Sequence, residues 1–384
     1  MEAYLDNSAT TRCSERAIAV MVRLLSEDYG NPSSLHGMGA NAEAYLKEAK
    51  KKIAKTLKAA EKEIIFTSGG TESNNLAVFG SVKANRRAGN HIITTAIEHA
   101  SIAQPMQQLE EMGFRVTYLP VDSFGTVRLD ALKEALDEDT ILVSMMHVNN
   151  EIGTIEPLEA VSALIRQKAP QALFHVDAIQ SYGKLPVIPK KLDIDLLSAS
   201  GHKIHGPKGI GFLYIRDKTK IKPILYGGGQ QKGMRSGTEN VPAIAALGEA
   251  AAECSQSLAA NAEAMYGLRE YFIEEVVKIP GVTINGKTGK ESAPHIISVS
   301  AEDVRSEVLL HSLEEKGIYV SAGSACSSNK PSVSQTLTAI GLRKELLDAT
   351  VRFSFCRDTT KEEVEYALAA LAEIIPFRRK FTRK

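Results

Sequence analysis

The residues best suited to chemistry lie in a glycine-rich loop between two apolar stretches. Residues 198–211 read Ser-Ala-Ser-Gly-His-Lys-Ile-His-Gly-Pro-Lys-Gly-Ile-Gly, which places Lys203 beside Ser200 and His202. Glycine permits backbone conformations and close ligand contacts that other residues do not. A lysine withdrawn from water has a lowered pKa, and its neutral amine can form a Schiff base with a carbonyl. The alternative is a surface loop whose lysines are solvated.

Other polar segments also follow apolar runs. Ser68-Gly69-Gly70-Thr71-Glu72-Ser73 opens a predicted helix, whose N-terminus would suit a phosphate, although a plain helix start is the alternative. His99 follows the run at 92–95, and imidazole can both donate and accept a proton near neutral pH. Asn149 and Asp177 follow two further runs, where turn formation and capping are alternatives to ligand contact. These segments lack the complete patterns of a P-loop or a dinucleotide fingerprint.

The four cysteines are Cys13, Cys254, Cys326 and Cys356, without a Cys-x-x-Cys pair. This spacing indicates neither a disulfide framework nor a zinc site, and no metal is predicted. Cys326 lies among small residues, which predicts the accessible setting that a reactive thiol needs. From the residues alone, a nucleophile and a structural thiol both remain open for Cys326. The other three thiols are interpreted as structural.

Short apolar runs alternate with helical patterns along the chain, and these predict the strands and helices that position the candidate residues. Apolar runs lie at 63–66, 92–95, 115–119, 141–146, 173–176, 194–198 and 211–215, with helical patterns at 73–85, 101–112, 129–136 and 157–168. Strands alternating with helices predict a mainly parallel seven-stranded sheet between helices. Ligands of such sheets bind beyond the carboxyl ends of the strands, where the candidate residues fall.

The sequence beyond the alternation predicts a second, smaller α/β unit. Residues 242–278 are alanine-rich and helical, and strands are predicted at 282–285, 295–300, 318–320 and 350–355, with helices near 305–316 and 360–374. We expect a large domain over 15–255 and a small domain formed by 1–14 and 256–384.

Composition excludes several classes of function. The 384 residues are 43% hydrophobic and 24% charged, with a formal net charge of +0. These values are those of an ordinary globular protein and argue against a general nucleic-acid or membrane-surface binder. No apolar run reaches the roughly 20 residues of a membrane span. Asp6 and Asn7 interrupt any signal-peptide pattern, so a cytoplasmic location is expected.

Together these segments resemble the NifS/IscS-type cysteine desulfurases, pyridoxal-phosphate (PLP) enzymes of the aspartate-aminotransferase fold. Ser200-x-His202-Lys203-x-x-Gly206-Pro207-x-Gly209 looks like their lysine motif, and the similarity runs from Tyr4-Leu5-Asp6-Asn7-Ser8-Ala9-Thr10-Thr11 to about residue 375. The segment ending at Cys326 is similar to the Ser-Ser-Gly-Ser-Ala-Cys pattern of group I members and departs from it at Ala322. Group II members carry Arg-x-Gly-x-x-Cys instead.

The resemblance implies PLP as the cofactor and a role for each matching position. Lys203 would hold the cofactor and take the α-proton, His99 would stack on the pyridine ring and transfer protons, and Cys326 would be the nucleophile. The other cofactor contacts would be Gly70, Thr71, Ser200 and His202 at the phosphate, Asp177 at the ring nitrogen, Gln180 at the ring hydroxyl, and Asn149. Asn149 and Arg352 would contact the substrate, and Thr238 would reach the phosphate bound by the neighbouring subunit of a homodimer.

The implied reaction converts L-cysteine to L-alanine and leaves a persulfide on Cys326. The sulfur would then pass to an acceptor protein for iron–sulfur cluster assembly or tRNA thiolation. The short sequence after Arg378-Arg379 leaves the identity of that acceptor open. The alternatives are a selenocysteine lyase or another PLP enzyme of the same fold, a non-catalytic scaffold, and a nucleotide-binding protein.

Overall fold

The structure is a computed structural model that describes residues 1–322 and 333–381. The strands are β1 (Ala3–Tyr4), β2 (Ile64–Thr67), β3 (His91–Thr95), β4 (Arg115–Leu119), β5 (Thr140–Met146), β6 (Leu173–Asp177), β7 (Leu196–Ser200), β8 (Gly211–Ile215), β9 (Val282–Asn285), β10 (Ile296–Ala301), β11 (Ile318–Tyr319), β12 (Ser321–Ala322) and β13 (Thr350–Ser354). The helices are α1 (Glu15–Ser26), α2 (Gly37–Leu57), α3 (Gly70–Asn85), α4 (Ala100–Glu111), α5 (Leu129–Ala135), α6 (Leu158–Lys168), α7 (Val241–Gln256), α8 (Leu258–Val276), α9 (Ser306–Glu314), α10 (Gln335–Ala339), α11 (Lys344–Leu347) and α12 (Lys361–Arg379). Within the described ranges, no helix is both long enough and apolar enough to cross a membrane.

The larger sheet has seven strands in the order β2-β8-β7-β6-β5-β3-β4. Neighbouring strands are parallel except at β8, which runs antiparallel to both β2 and β7. The prediction of an α/β fold with a mainly parallel seven-stranded sheet is therefore confirmed. The carboxyl ends of β6 and β7 bring Asp177 and Ser200 to the same edge of the sheet.

Both faces of this sheet are buried under helices, because successive side chains of a strand point to opposite faces. In β3, Ile93 packs into the cluster that contains residues of α2, α5, α6 and α7. Its neighbour Ile92 packs into a different cluster, formed with α3 and α4. This two-sided burial explains why the strands read as continuous apolar runs rather than as alternating ones.

A second sheet contains β12-β13-β10-β9, and β1 pairs in parallel with β11 in a separate two-stranded sheet. The second hydrophobic cluster joins Phe272 of α8 with Phe353 of β13 and with residues of α9 and α12. Ala3 and Leu5 belong to the same cluster, so the N-terminal segment packs with the C-terminal part of the chain. The division into 15–255 and 1–14 with 256–384 stays a prediction.

Candidate active site

A cavity of about 220 Å³ opens at the carboxyl ends of the parallel strands. Its lining includes most of the residues that the sequence singled out, namely Gly70, Thr71, His99, Asp177, Gln180, Ser200, His202 and Lys203. Ser101, Met146, Val148, Asn150 and Ile179 complete the lining. The structure thus gathers side chains that lie up to 133 positions apart, from Gly70 to Lys203, in one concave site.

Lys203 lies in a short 3₁₀ turn, Gly201–Lys203, directly after β7. Its Nζ donates to the carbonyl oxygen of Ala9 at 2.8 Å and also to the carbonyl oxygen of Ser8. The backbone of Lys203 is held by Lys184, whose Nζ donates to the Lys203 carbonyl oxygen at 2.8 Å. Lys184 is only 5% exposed, and burial lowers its pKa to about 8. Two segments distant in sequence therefore fix this turn.

The N-terminus of α3 has the features of an anion site. Gly69 is the N-cap residue, and within the described residues no side chain accepts the first N–H groups of the helix. Free N–H groups at a helix N-terminus bind phosphate well. Gly70 leaves space beside Ile179, whose side chain would have to move for a Cβ at position 70, because that Cβ would lie 2.2 Å from its Cδ1. Thr71 and Ser200 line the cavity beside this terminus.

Asp177 ends β6 and is 5% exposed. Its Oδ1 accepts the backbone N–H of Ile179 at 2.9 Å, and its Oδ2 accepts from Nδ2 of Asn74 at 2.8 Å. Burial raises the pKa of the Asp177 carboxyl, against these two hydrogen bonds, which lower it. A buried carboxylate is stabilised by a cation, such as a protonated ring nitrogen, placed against it.

His99 is the N-cap residue of α4 and faces the cavity. Its Nδ1 accepts the backbone N–H of Ser101 at 3.1 Å and lies 2.8 Å from the Ser101 hydroxyl. Burial lowers the pKa of His99; the carboxylate of Asp177 raises it and the charge of Lys203 lowers it further. The sequence analysis did not identify Ser101 as a contact of His99, although it lies only two positions later in the chain.

The two remaining cofactor candidates in the cavity are His202 and Gln180. Burial, with the nearby charge of Lys203, lowers the pKa of His202 to about 4, so its ring is neutral at physiological pH. The Nε2 of Gln180 donates to the carbonyl oxygen of Ser8 at 3.1 Å. Its Oε1 lies 3.4 Å from Nε2 of His295, a fully buried residue that the sequence analysis did not identify. His295 orients the amide of Gln180.

Asn149 does not line the cavity. It is fully buried, and its Oδ1 accepts the backbone N–H groups of Glu151 and Ile152 at 2.9 and 3.0 Å. Its Nδ2 faces the carbonyl oxygen of Ile97 at 3.2 Å. The next residue, Asn150, is the one that reaches the lining. Asn149 therefore shapes the turn after β5, and its direct contact with a cofactor or substrate stays a prediction.

Three further residues that the sequence analysis predicted for the site are not among the residues that line the cavity. Arg352 in β13 is 6% exposed and donates to the Asn150 carbonyl oxygen at 2.8 Å and to Oδ1 of Asp6 at 2.9 Å. It borders the site through Asn150 without lining the cavity. Thr238 is exposed in the loop before α7. Cys326 lies outside the described residues.

The other thiols fit a structural interpretation. Cys254 and Cys356 are buried and Cys13 is half-buried, and burial raises the pKa of each thiol. Ligand atoms of Cys356, His205 and Asp358 lie within 4.8 Å of one another. However, Nδ1 of His205 hydrogen-bonds to the Arg12 carbonyl oxygen at 3.0 Å, and the Arg357 guanidinium lies 3.7 Å from Asp358. A proton and a cation at this position oppose metal binding.

The residues of the cavity fit PLP. The uncapped N-terminus of α3 suits its phosphate, the buried Asp177 carboxyl suits its ring nitrogen, and the Lys203 amine suits its aldehyde. These three requirements are met by independent elements: a helix terminus, a strand end and a 3₁₀ turn.

Comparison with known proteins agrees with this geometry. Residues 3–367 match the family described as Aminotransferase class-V. "Cysteine desulfurase IscS" of Methanosarcina thermophila is 44% identical over 372 residues, which cover 97% of this chain and 91% of that protein. "Putative cysteine desulfurase IscS 1" of Bacillus subtilis (strain 168) is 42% identical, with 97% and 98% covered.

Solved structures give the same result. A "NifS-like protein" is similar with a TM-score of 0.93 at 40% identity, covering 98% of this chain and 100% of that one. "SspA in complex with cysteine" has a TM-score of 0.80 at 34% identity, covering 93% and 100%. The resemblance predicted from the motifs is thus confirmed, and the chain belongs to the Aminotransferase class-V family, among its IscS/NifS cysteine desulfurases.

Proposed function

We propose that this chain converts L-cysteine to L-alanine and transfers the sulfur to Cys326 as a persulfide. The observation that carries the proposal is the meeting of Lys203, Asp177 and an uncapped helix N-terminus in one cavity. The names of the relatives support the reaction, and the complex of SspA with cysteine supports the substrate.

The residues of the chain divide the work among them. PLP, when bound, supplies an electron sink that acidifies the α-carbon of an amino acid. Lys203 would hold the cofactor and move the α-proton, and Asp177 would bind the ring nitrogen as a carboxylate. Arg352 binds the substrate carboxylate, because a guanidinium offers a planar pair of N–H donors. His202 and Ser200, which line the cavity, would hold the phosphate.

The sulfur transfer needs no external oxidant. The thiolate of Cys326 attacks the substrate sulfur, so that an S–S bond forms while the bond between Cβ and sulfur breaks. The electron pair of that bond stays on Cβ, which takes up a proton and becomes the methyl group of alanine. The persulfide sulfur then passes to an acceptor protein, for iron–sulfur cluster assembly or tRNA thiolation, in the cytoplasm.

The experiment that tests this function measures products. The PLP-loaded protein, given L-cysteine and a thiol reductant, is expected to release alanine and sulfide in equal amounts over many turnovers. Pyruvate or keto-acid products would instead indicate another PLP reaction of this fold. Turnover of selenocysteine but not of cysteine would identify a selenocysteine lyase, and no turnover of either amino acid by PLP-loaded protein would contradict the proposal.

We further infer a homodimer, with Thr238 of each subunit directed to the phosphate bound by the other. Leu24 of α1 packs with Val241 and Ala245 of α7, as expected for the inner face of an amphipathic helix. The outer face is apolar as well, since Val22 and Leu25 are 58% and 63% exposed. Contiguous exposed apolar side chains mark an interaction surface, and a second copy of the chain is the commonest occupant.

The double substitution Val22→Asp with Leu25→Asp is expected to convert the dimer to a monomer in analytical ultracentrifugation. Activity should fall by about tenfold or more, the order expected from loss of a hydrogen bond to a charged group. Phe124→Asp is the matched control, because Phe124 is 52% exposed and lies away from α1, in the turn between β4 and α5. A wild-type protein that sediments as a fully active monomer would contradict the dimer.

A further inference from the structure

Two acceptors of the chain itself already engage Arg352. Its side chain is 7% exposed, and its Nη1 donates to the carbonyl oxygen of Asn150 at 2.8 Å. Its Nη2 donates to Oδ1 of Asp6 at 2.9 Å, while the buried Nε has no acceptor within the described ranges. A guanidinium carries five N–H donors, so Nη1 and Nη2 each keep one hydrogen for a ligand. The cation proposed to receive the substrate carboxylate is therefore already paired with a carboxylate.

The backbone of the N-terminal segment holds Asp6 at this position. Asp6 forms a parallel bridge with Ser354. The Ser354 N–H donates to the Leu5 carbonyl oxygen at 2.6 Å, and the Asn7 N–H donates to the Ser354 carbonyl oxygen at 3.2 Å. Ser354 lies two residues after Arg352 in β13, so both residues are on the same face of the strand. Main-chain hydrogen bonds thus fix the carboxylate beside the guanidinium.

Three other titratable groups of the described residues sense the charge of Arg352. Burial raises the pKa of the Glu151 carboxyl, and the charge of Arg352 offsets this only in part. Burial and the charge of Asp6 raise the pKa of the Tyr4 phenol, which is therefore neutral at physiological pH. His295 is fully buried, and burial lowers its pKa. Asp6 is thus the counter-charge of Arg352 among the residues that the structure describes.

A carboxylate beside a guanidinium weakens the attraction of that guanidinium for a second carboxylate. The two anions repel each other, and solvent screens this repulsion little because the side chains of Asp6 and Arg352 are 18% and 7% exposed. L-Cysteine and L-alanine, the proposed substrate and product, carry the same carboxylate, so an unopposed arginine would hold both more tightly. Such uniform binding lowers KM without raising kcat, and it slows the release of product.

We propose that Asp6 is a positioning residue that holds Arg352 and also limits its affinity for the carboxylate of the bound amino acid, so that alanine is released. This inference rests on the proposed role of Arg352 as the ligand of the substrate carboxylate. A purely structural Asp6 predicts that a neutral replacement weakens the binding of the amino acid, because an anchor is lost. An Asp6 that limits affinity predicts the opposite sign, because a competing charge is lost.

The affinity is measured by titrating the PLP-loaded protein with L-alanine and with L-alaninamide, in which an uncharged amide replaces the carboxylate. The absorbance of the cofactor reports binding. We expect Asp6→Asn, which keeps an acceptor oxygen without the charge, to bind L-alanine about tenfold more tightly, the lower end of the effect of a hydrogen bond to a charged group. Its affinity for L-alaninamide should be unchanged. Unchanged or weaker binding of L-alanine by this variant would overturn the proposal.

Three further variants separate the charge of Asp6 from its part in folding. Asp6→Glu restores a carboxylate and should return the L-alanine affinity toward wild type, whereas Asp6→Ser, a smaller neutral residue, should tighten binding as Asp6→Asn does. Asp195→Asn is the matched control, because Asp195 is 7% exposed and accepts from Nη2 of Arg166 at 2.7 Å but does not line the cavity. Tighter L-alanine binding by Asp6→Glu or by Asp195→Asn would contradict the role of the Asp6 charge.

Steady-state kinetics and Arg352→Gln distinguish this proposal from the proposed function. In Asp6→Asn, KM for L-cysteine and the inhibition constant of L-alanine should both fall, without a rise in kcat. Arg352→Gln should lose the preference for L-alanine over L-alaninamide. If this variant keeps the preference, the proposed role of Arg352 and that of Asp6 both fail. If the preference is lost and Asp6→Asn binds L-alanine as wild type does, the role of Asp6 alone is refuted.

Discussion

The Lys203→Ala protein is expected to lose covalent attachment of PLP and to turn over L-cysteine at least about 10³-fold more slowly than wild type, a loss within the range of positioned proton transfer. Lys203 lies in a 3₁₀ turn whose backbone is held by the hydrogen bond from Lys184 to the Lys203 carbonyl oxygen. Its amine donates to the carbonyl oxygens of Ser8 and Ala9. A methyl group at this position can neither bind an aldehyde nor move a proton.

The measurement has two parts. Borohydride reduction followed by mass spectrometry reports whether PLP is linked to the peptide that contains residue 203, and the alanine assay reports turnover. Lys208→Ala is the matched control, because Lys208 lies in the same loop and is exposed. We expect that control to keep both the linkage and the rate. A fully active Lys203→Ala protein would refute the assignment of the cavity as the catalytic site.

The Cys326→Ser protein is expected to keep PLP and to bind L-cysteine, yet to form alanine and sulfide at least about 10³-fold more slowly, as is common when a nucleophile is removed. The expectation follows from the proposed mechanism, in which the cavity residues activate the substrate and the Cys326 thiolate accepts its sulfur. A serine hydroxyl is a much weaker nucleophile at neutral pH than a thiolate.

Mass spectrometry of the protein after a single turnover without reductant gives a second readout. Wild type should gain one sulfur atom on the peptide that contains Cys326, and the serine variant should not. Cys13→Ser is the matched control, since Cys13 is a half-buried thiol outside the cavity. Unchanged alanine formation by Cys326→Ser would preserve the PLP site but remove the persulfide mechanism.

Much of this site could be predicted from the sequence because the fold imposes a simple rule. Residues that follow the apolar runs of a parallel sheet meet at one edge, and Lys203, Asp177 and His99 do so. The antiparallel direction of β8 was not predictable from periodicity, since both senses give the same apolar run.

The residues that the sequence did not reveal act through contacts between distant segments. Asn74 reaches Asp177 across 103 positions, and Lys184 reaches the Lys203 carbonyl across 19. A polar residue inside a helix pattern looks the same whether it faces water or a carboxylate. One signal was present: Asn74 lies one helical turn after the glycine that opens α3, on the terminus already singled out. Asn149 combines both kinds of contact, since its Oδ1 accepts N–H groups of its own turn and its Nδ2 faces the carbonyl oxygen of Ile97.

The N-terminal segment connects the cavity with the second, smaller part of the fold through its backbone. The carbonyl oxygens of Ser8 and Ala9 receive the amine of Lys203, while β1, a few residues earlier, pairs with β11. β12 follows β11 within two residues, and Cys326 comes four positions after Ala322 in the sequence. The N-terminal segment thus contacts Lys203 and also the strand pair that precedes Cys326 in the sequence, the two residues to which the proposed reaction assigns its two halves. Trimming or fusing this end would perturb the two halves together, so an affinity tag or a fluorescent reporter belongs beyond α12.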